Sequence, residues 1–390
     1  MKNPITASKR SDLVSYPIRD IVVEAKKLEK EGTKMIYLNI GDPATFGFRP
    51  PQHILDAVKE ALDTPKYSAY APSEGDPELR QEIARIEKAV PENVFVMNGL
   101  SEGIDFVFQA MMDAGDTLLL PSPTYPLYLT KERIGFGTET FYECDDSSWE
   151  PNLDSMRKAI TPKTKAISVI SPNNPTGAVY SRKTLQGIVD IAGEHGLPIL
   201  ADDAYEEVVF DGEKVNFRDL HKDVPLISGS SISKNYLYPG ARVGWLTFHG
   251  EGLDLVKNAM QRLCNQRLSV NWEMQRGALA ALKKGPGHMA AFNQTIKGRR
   301  DLLKKRIDGI DGLSLSVPNG AFYAFVKIED MKGHKNDWGF VRALLKEGVV
   351  TVPGSAFTTV LPPTYFRIVL LPPEETIDLA FNKIEAYMKK

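Results

Sequence analysis

Apolar clusters of strand length recur at 93–97, 117–120, 165–171, 198–201, 225–229 and 243–248, with segments of helical period between most of them. That alternation predicts an α/β domain around a largely parallel sheet. The segment 52–63 reads as a helix beginning after Pro50 and Pro51, and 181–195 as another, with Ser181 as its N-cap and Gly196 just beyond its end. After about residue 250 the pattern changes to long charged helices over 251–283 and 287–308, interrupted at Gly285-Pro286-Gly287, which are read as the connection between two domains. Strands near 313–317, 321–328, 349–352 and 365–370, a helix at 337–347 and another from 374 to the end predict a smaller α+β domain. The first 48 residues read as irregular and rich in Pro and Gly, an arm packed against that domain. The expected division is an arm over 1–48, a large domain over 49–285 and a small domain over 286–390.

A length of 390 residues exceeds one ordinary core and suits this two-domain reading. The 42% of hydrophobic and 25% of charged residues are those of a soluble globular chain, which sets aside disorder and fibres. Forty-eight basic against 50 acidic residues leave no general field for nucleic acid or anionic membrane, so charged ligands must be bound locally. Cys144 and Cys264 alone cannot build a disulfide framework or a four-ligand metal site; they are expected to be reduced core thiols, and no metal is expected. The basic N-terminus lacks the apolar core of a signal peptide and no run approaches a membrane span, which leads to the expectation of a cytoplasmic protein.

The stretch most informative about chemistry is GSSISKNYLYPGARVGW at 229–245. Ser231 and Ser233 precede Lys234 and Arg242 follows it by eight residues, so hydroxyl donors and a planar guanidinium could converge beside one amine. That set suits a phosphate dianion next to a Schiff base; a solvated turn with incidental serines fits the spacing equally well. A second stretch, ILADDAYEEVVF at 199–210, places Asp202 at the end of a buried strand with Tyr205 just beyond, where open α/β sheets hold ligands. A carboxylate there could keep a pyridinium nitrogen protonated and its ring an electron sink. Asp203 points the other way and is expected to be a solvated or capping residue. SPNNPTG at 171–177 is a loop by its turn chemistry, or a means of placing the Asn174 amide beside a ring oxygen. NGLSEGIDFVF at 98–108 opens a helix with small and polar residues, whose free N–H groups could form an anion site.

Together these stretches resemble the fold-type I, pyridoxal 5′-phosphate-dependent aminotransferases of the aspartate aminotransferase superfamily. The marks run in order along nearly the whole chain: LNIGDP at 38–43, YAPSEGDPELR at 70–80, SPTYPLY at 122–128, NNPTG at 173–177, the Asp202 to Tyr205 pair, SISKNYLYPGAR at 231–242, PNGAFYAF at 318–325 and FRIVL at 366–370. The resemblance implies that Lys234 carries pyridoxal 5′-phosphate as a Schiff base and moves the substrate Cα proton, that Asp202 bonds the pyridine nitrogen, and that Tyr205 and Asn174 bond the phenolic oxygen. It implies a phosphate site of Ser101, the Glu102 backbone N–H, Ser231, Ser233 and Arg242, with Tyr125 stacked on the ring. Tyr70 would reach the phosphate of a neighbouring subunit in a homodimer with shared sites. Arg367 would clamp the substrate carboxylate, supported by Asn174 and the Gly41 backbone. The opening SYPIRDIVVEAKKLEKEG, with LNIGDP, YAPSEG and YPLY, is most similar to the alanine aminotransferase-like subgroup, with Tyr16 and Ile18 as candidates to cover a small substrate. The expected reaction moves an amino group from an L-amino acid, alanine first, to a 2-oxo acid such as 2-oxoglutarate by a ping-pong course. An aspartate or aromatic aminotransferase, a C–S β-lyase and a cofactor-sensing regulator are the alternatives; for the last, no spare basic DNA-binding segment is present.

Overall fold

The computed structural model describes residues 5–14, 16–135 and 137–390, so Ser15 and the first four residues of the expected arm lie outside the described residues. Thirteen α-helices run through these residues in chain order. They are α1 (Pro17–Lys30), α2 (Gln52–Leu62), α3 (Pro77–Glu87), α4 (Leu100–Met111), α5 (Pro126–Ile134), α6 (Leu153–Ala159) and α7 (Arg182–His195). There follow α8 (Ile232–Asn235), α9 (Asp254–Arg267), α10 (Trp272–Lys284), α11 (Met289–Asp308), α12 (Asp337–Lys346) and α13 (Glu374–Met388). The strands are β1 (Ile36–Tyr37), β2 (Val94–Met97), β3 (Thr117–Ser122), β4 (Thr140–Glu143), β5 (Thr164–Ile170), β6 (Ile199–Asp202) and β7 (Leu226–Ser231). They continue as β8 (Gly244–His249), β9 (Leu313–Leu315), β10 (Tyr323–Ile328), β11 (Val349–Val350), β12 (Val352–Pro353) and β13 (Tyr365–Val369).

Seven strands form one sheet in the order β2-β8-β7-β6-β5-β3-β4. Every neighbouring pair from β7 to β4 is parallel, and only β8 runs against its neighbours β2 and β7, so the largely parallel sheet read from the sequence is present. Both faces are covered. Leu119, Ile167, Val169, Ile199 and Ala201 pack with Leu185, Ile188 and Ala192 of α7, while Leu118, Leu120, Ala166, Ile170 and Leu200 pack with Ile104, Val107 and Phe108 of α4. Burial on two faces is why these strands are near-continuous apolar runs. Helix α7 starts and stops as its ends dictate: the Ser181 hydroxyl accepts from Thr184 N–H at 3.2 Å, and Gly196 closes the helix at φ 62°. A second sheet, β12-β13-β10-β9, is antiparallel throughout. It shares a core with α11, α12 and α13 through Ile296, Leu303, Phe340, Leu344, Phe381 and Ile384.

Three expectations change. The arm is not irregular throughout: α1 begins with Pro17 at its first position, where the missing N–H costs nothing, and buries Ile18, Ile21 and Ala25 on one stripe. The N-terminal segment is then tied to the C-terminal part by β1, which pairs parallel with β11. The single helix expected over 251–283 is two helices, because Leu268 turns to φ 75°, ψ −107° and the chain restarts under the Asn271 side chain, which accepts from Met274 N–H at 2.9 Å. The strand expected at 349–352 is divided between two sheets, β11 pairing with β1 and β12 with β13. Cys144 and Cys264 are both free and buried. Among the described residues no helix is long and apolar enough to cross a membrane.

Candidate active site

The carboxyl ends of β2, β3, β5, β6 and β7 lie on one edge of the large sheet, and the turns that follow them surround a cavity of about 570 Å³. Lys234 enters it from α8, the four-residue helix that follows β7. Its Nζ donates to the Gly41 carbonyl at 2.6 Å. Burial lowers the ammonium from an ordinary 10.5 to about 8; Asp42 opposes the shift, and Arg242 and Arg367 add to it. A neutral, nucleophilic fraction of this amine therefore exists near neutral pH. No side chain fits at position 41: a Cβ there would collide with the Tyr323 hydroxyl.

Asp202 is the last residue of β6, between Ile170 of β5 and Gly229 of β7. Its carboxylate accepts from Ala204 N–H at 3.1 Å and from the Tyr128 hydroxyl at 3.0 Å. Burial nevertheless raises it to about 6, so a buried cation beside it would be strongly favoured. Tyr205, two residues into the next turn, shares a hydrogen bond of 2.8 Å with the Tyr323 hydroxyl, and burial pushes its own ionisation well above the ordinary range.

At another wall, α4 opens behind Gly99 with no side-chain cap, leaving N–H groups of its first turn other than that of Glu102 as anion donors. Ser101, Ser231, Ser233 and Arg242 line the same part of the cavity. Arg242 is held in place by donating to the carbonyls of Pro239 at 3.1 Å and Asn98 at 3.3 Å. Gly99 sits at φ 77°, and a Cβ on it would strike the Arg242 guanidinium, so the glycine admits the guanidinium to the helix start. Opposite, Arg367 of β13 is 1% exposed. It donates to Asn39 O at 2.6 Å and Asn174 Oδ1 at 3.1 Å, and its Nε is buried without a partner. A buried guanidinium with a spare donor and no carboxylate neighbour is prepared for an anionic ligand. Its charge centre lies 4.5 Å from the Tyr323 ring centroid. Tyr16 and Tyr125 close the remaining side with hydroxyls 3.1 Å apart, and the Ile18 carbonyl accepts from Asn39 Nδ2 at 3.1 Å.

Of the residues singled out from the sequence, Tyr16, Ile18, Gly41, Ser101, Tyr125, Asn174, Asp202, Tyr205, Ser231, Ser233, Lys234, Arg242 and Arg367 all line this cavity. Glu102 and Tyr70 do not. Glu102 donates its N–H to Gly99 O at 3.2 Å, and its carboxylate accepts from Asn98 N–H at 2.8 Å and from Arg267 at 2.7 Å, which braces the turn from behind. Tyr70 is 80% exposed, outside the cavity. Asp203 is not solvated: it is 6% exposed and accepts from the Ser228 hydroxyl at 2.8 Å, because the face opposite Asp202 in a sheet covered on both sides is core rather than water. Tyr323, Tyr128 and Arg19 belong to the site or its support, and the sequence pattern alone does not mark them. Tyr323 lies in the quoted PNGAFYAF, where its hydroxyl is hidden within an apolar pattern; Tyr128 follows Tyr125 by one helical step.

Residues 33–384 match the family model of aminotransferase class I and II. The chain belongs to the class I and II aminotransferases. It is 36% identical to the glutamate-pyruvate aminotransferase AlaA of Escherichia coli K12, over 99% of this chain and 98% of that one. It is 33% identical to the alanine aminotransferase of Mycobacterium tuberculosis H37Rv, over 96% of this chain and 90% of that one. The solved alanine aminotransferase from Pyrococcus furiosus superposes with a TM-score of 0.95 at 40% identity, covering 98% of this chain and all of that one. The aminotransferase has the fold-type I architecture. Family members work with pyridoxal 5′-phosphate on amino and 2-oxo acids, and the donor set fits such a cofactor: an anion cradle at α4, a buried carboxylate at Asp202, a buried amine at Lys234 and a second anion clamp at Arg367.

Proposed function

We propose that this aminotransferase binds pyridoxal 5′-phosphate on Lys234 and exchanges the amino group between L-alanine and 2-oxoglutarate, as a cytoplasmic homodimer. The observation that carries the reading is the convergence on one cavity of a softened lysine, a carboxylate and two separate anion clamps. The bound cofactor supplies an aldehyde that takes up the amino group and a protonated ring that weakens the substrate Cα–H bond.

The protein's residues do the rest. Lys234 would hold the resting cofactor, and its amine once released, which burial favours in the neutral form, would remove the substrate Cα proton and deliver it to the cofactor carbon that takes up the amino group. Asp202 would hold the ring nitrogen protonated, oriented by the Tyr128 hydroxyl that donates to it. Tyr205 and Asn174 would serve the ring oxygen, Tyr125 the ring face, and Ser101, Ser231, Ser233 and Arg242 the phosphate, whereas the Glu102 N–H is already bonded to Gly99 O. Tyr70 extends toward the phosphate of the second subunit. Arg367 takes the α-carboxylate, with Asn174 and Gly41 beside it. Tyr16 and Ile18 leave a short space for the alanine methyl group. Arg19, one residue on in α1 and lining the cavity, has the charge to meet the distal carboxylate of 2-oxoglutarate. The cofactor site belongs to the 49–285 domain, with the arm 1–48 and the domain 286–390 covering it.

The test is an amino-donor panel on protein reconstituted with pyridoxal 5′-phosphate, following the cofactor absorbance and product oxo acid for each L-amino acid. Alanine and glutamate are expected to react fastest, without ammonia. Preference for aspartate or tyrosine would overturn the substrate, and ammonia release would replace transfer by elimination.

A further inference from the structure

Behind Lys234, on the side away from the cavity, lies a buried polar cluster that the proposed reaction does not use. Asn235, 1% exposed, follows Lys234 on α8. Its Oδ1 accepts from Glu207 N–H at 3.1 Å, and its Nδ2 donates to the Ser230 hydroxyl at 3.1 Å and to the Asp203 carbonyl at 3.4 Å. Ser230 in turn donates to Glu206 at 3.0 Å. Arg218 bridges Glu206 and Glu87, each at 2.7 Å, and Trp245 N–H reaches Glu87 at 3.2 Å. Asn216 adds a donor to Glu206 at 2.8 Å. Burial and the charge of Glu206 push Glu87 and Asp203 up; burial opposes the ionisation of Glu206 too, but Arg218 and Lys214 outweigh it and hold Glu206 low.

A helix of four residues cannot hold its own shape. What fixes α8 is therefore what it is bonded to, and Asn235 is the side chain that bonds it to the stretch running on from Asp202. We propose that Asn235 is a positioning residue for amino transfer, fixing the turn that carries Lys234 against the Asp203–Glu207 segment so that amine and ring-facing carboxylate keep one separation. The Glu206–Arg218–Glu87 cluster makes the anchor stiff, because Arg218 is hydrogen-bonded to both carboxyl groups and Trp245 to Glu87 in a buried setting. The proposal rests on the reading of Lys234 and Asp202 given above.

The experiment compares Asn235→Ala, Ser230→Ala and Lys234→Ala with the wild-type holoenzyme, using alanine and 2-oxoglutarate. A small misplacement of a reacting group lowers turnover more than binding, so Asn235→Ala is expected to lose roughly 10–100-fold in kcat with KM within about threefold. The cofactor-free Asn235→Ala protein should also capture added pyridoxal 5′-phosphate more slowly, a readout independent of turnover. Ser230→Ala, which removes one of the two Asn235 acceptors, should show the same pattern in weaker form and decides the matter if Asn235→Ala does not fold. Unchanged kcat and capture rate in a folded variant, with only a lowered melting temperature, would make Asn235 merely structural and overturn the proposal; so would a raised KM with intact kcat. Normal turnover by Lys234→Ala would instead remove the underlying reading of the site.

Discussion

The displaced ionisation of Lys234 can be measured without any catalysis, in the cofactor-free protein. The perturbation is Lys234→Met, which keeps the length of the stem and removes the amine. Folding lowers the lysine from 10.5 to about 8, so its native and unfolded states bind protons differently between those values. The sign follows directly. Below about pH 8 both states are protonated and the full cost of burying the ammonium is present; between about 8 and 10.5 the native amine has lost its proton while the unfolded one keeps it, so wild-type stability rises with pH. Relative to Lys234→Met, in which other titrations cancel, wild type should gain about 2 kcal/mol between roughly pH 7 and 9.5, out of about 3 kcal/mol for the whole displacement. In a chain of this size that is roughly 2–3 °C in Tm. Thermal melts of the two cofactor-free proteins across this range are the assay. A difference between them that stays flat, or narrows the other way, would refute the argument that burial has softened this amine.

Gly99→Ala should weaken cofactor binding by roughly tenfold or more, since a positive φ costs an alanine about 1 kcal/mol and its Cβ also displaces the Arg242 guanidinium; a fluorescence titration with pyridoxal 5′-phosphate is the check. Arg367→Ala removes two charge-assisted hydrogen bonds and should lower kcat/KM for alanine by roughly 100-fold or more. An effect below fivefold would mean that the substrate carboxylate is held elsewhere. Arg19→Ala should raise KM for 2-oxoglutarate by about tenfold and leave that for pyruvate nearly unchanged, as expected of a charge that serves only the longer acid. Equal changes for both acids would deny Arg19 that role.

The parts of the fold that were legible are those where one local rule acts alone. The buried strands β3, β5 and β7 declare themselves as apolar runs, and α7 by Ser181 and Gly196. In the first 48 residues the frequent Pro and Gly mask the stripe of Ile18, Ile21 and Ala25, although a proline at the first helical position starts a helix. The break at Leu268 has neither Gly nor Pro to mark it, so its positive φ of 75° has no signal in the residue type. In the site, Lys234 was visible among hydroxyls and turn residues and Asp202 at the end of an apolar run, whereas Arg367, inside the apolar FRIVL, was reached only through the family resemblance. Asp203 was misplaced because alternation along a strand says which side a residue takes, not what waits there. Tyr323, whose hydroxyl meets Tyr205 from a segment 118 residues away, could be found only when the two sheets were seen together.

Arg367 belongs to the antiparallel sheet, yet its guanidinium is held by the Asn39 carbonyl near the N-terminus and by Asn174 from the turn after β5. The proposed clamp for an anion is thus also a joint between three distant parts of the chain. A dicarboxylate seated on it fastens that joint, and by linkage the ligand's binding energy becomes resistance to prying the two sheets apart. Amide exchange in β13 and in the segment around Asn39 should slow together as the site fills, even in protein that carries no cofactor, so substrate would report its arrival through the rigidity of strands that never touch the reacting carbon.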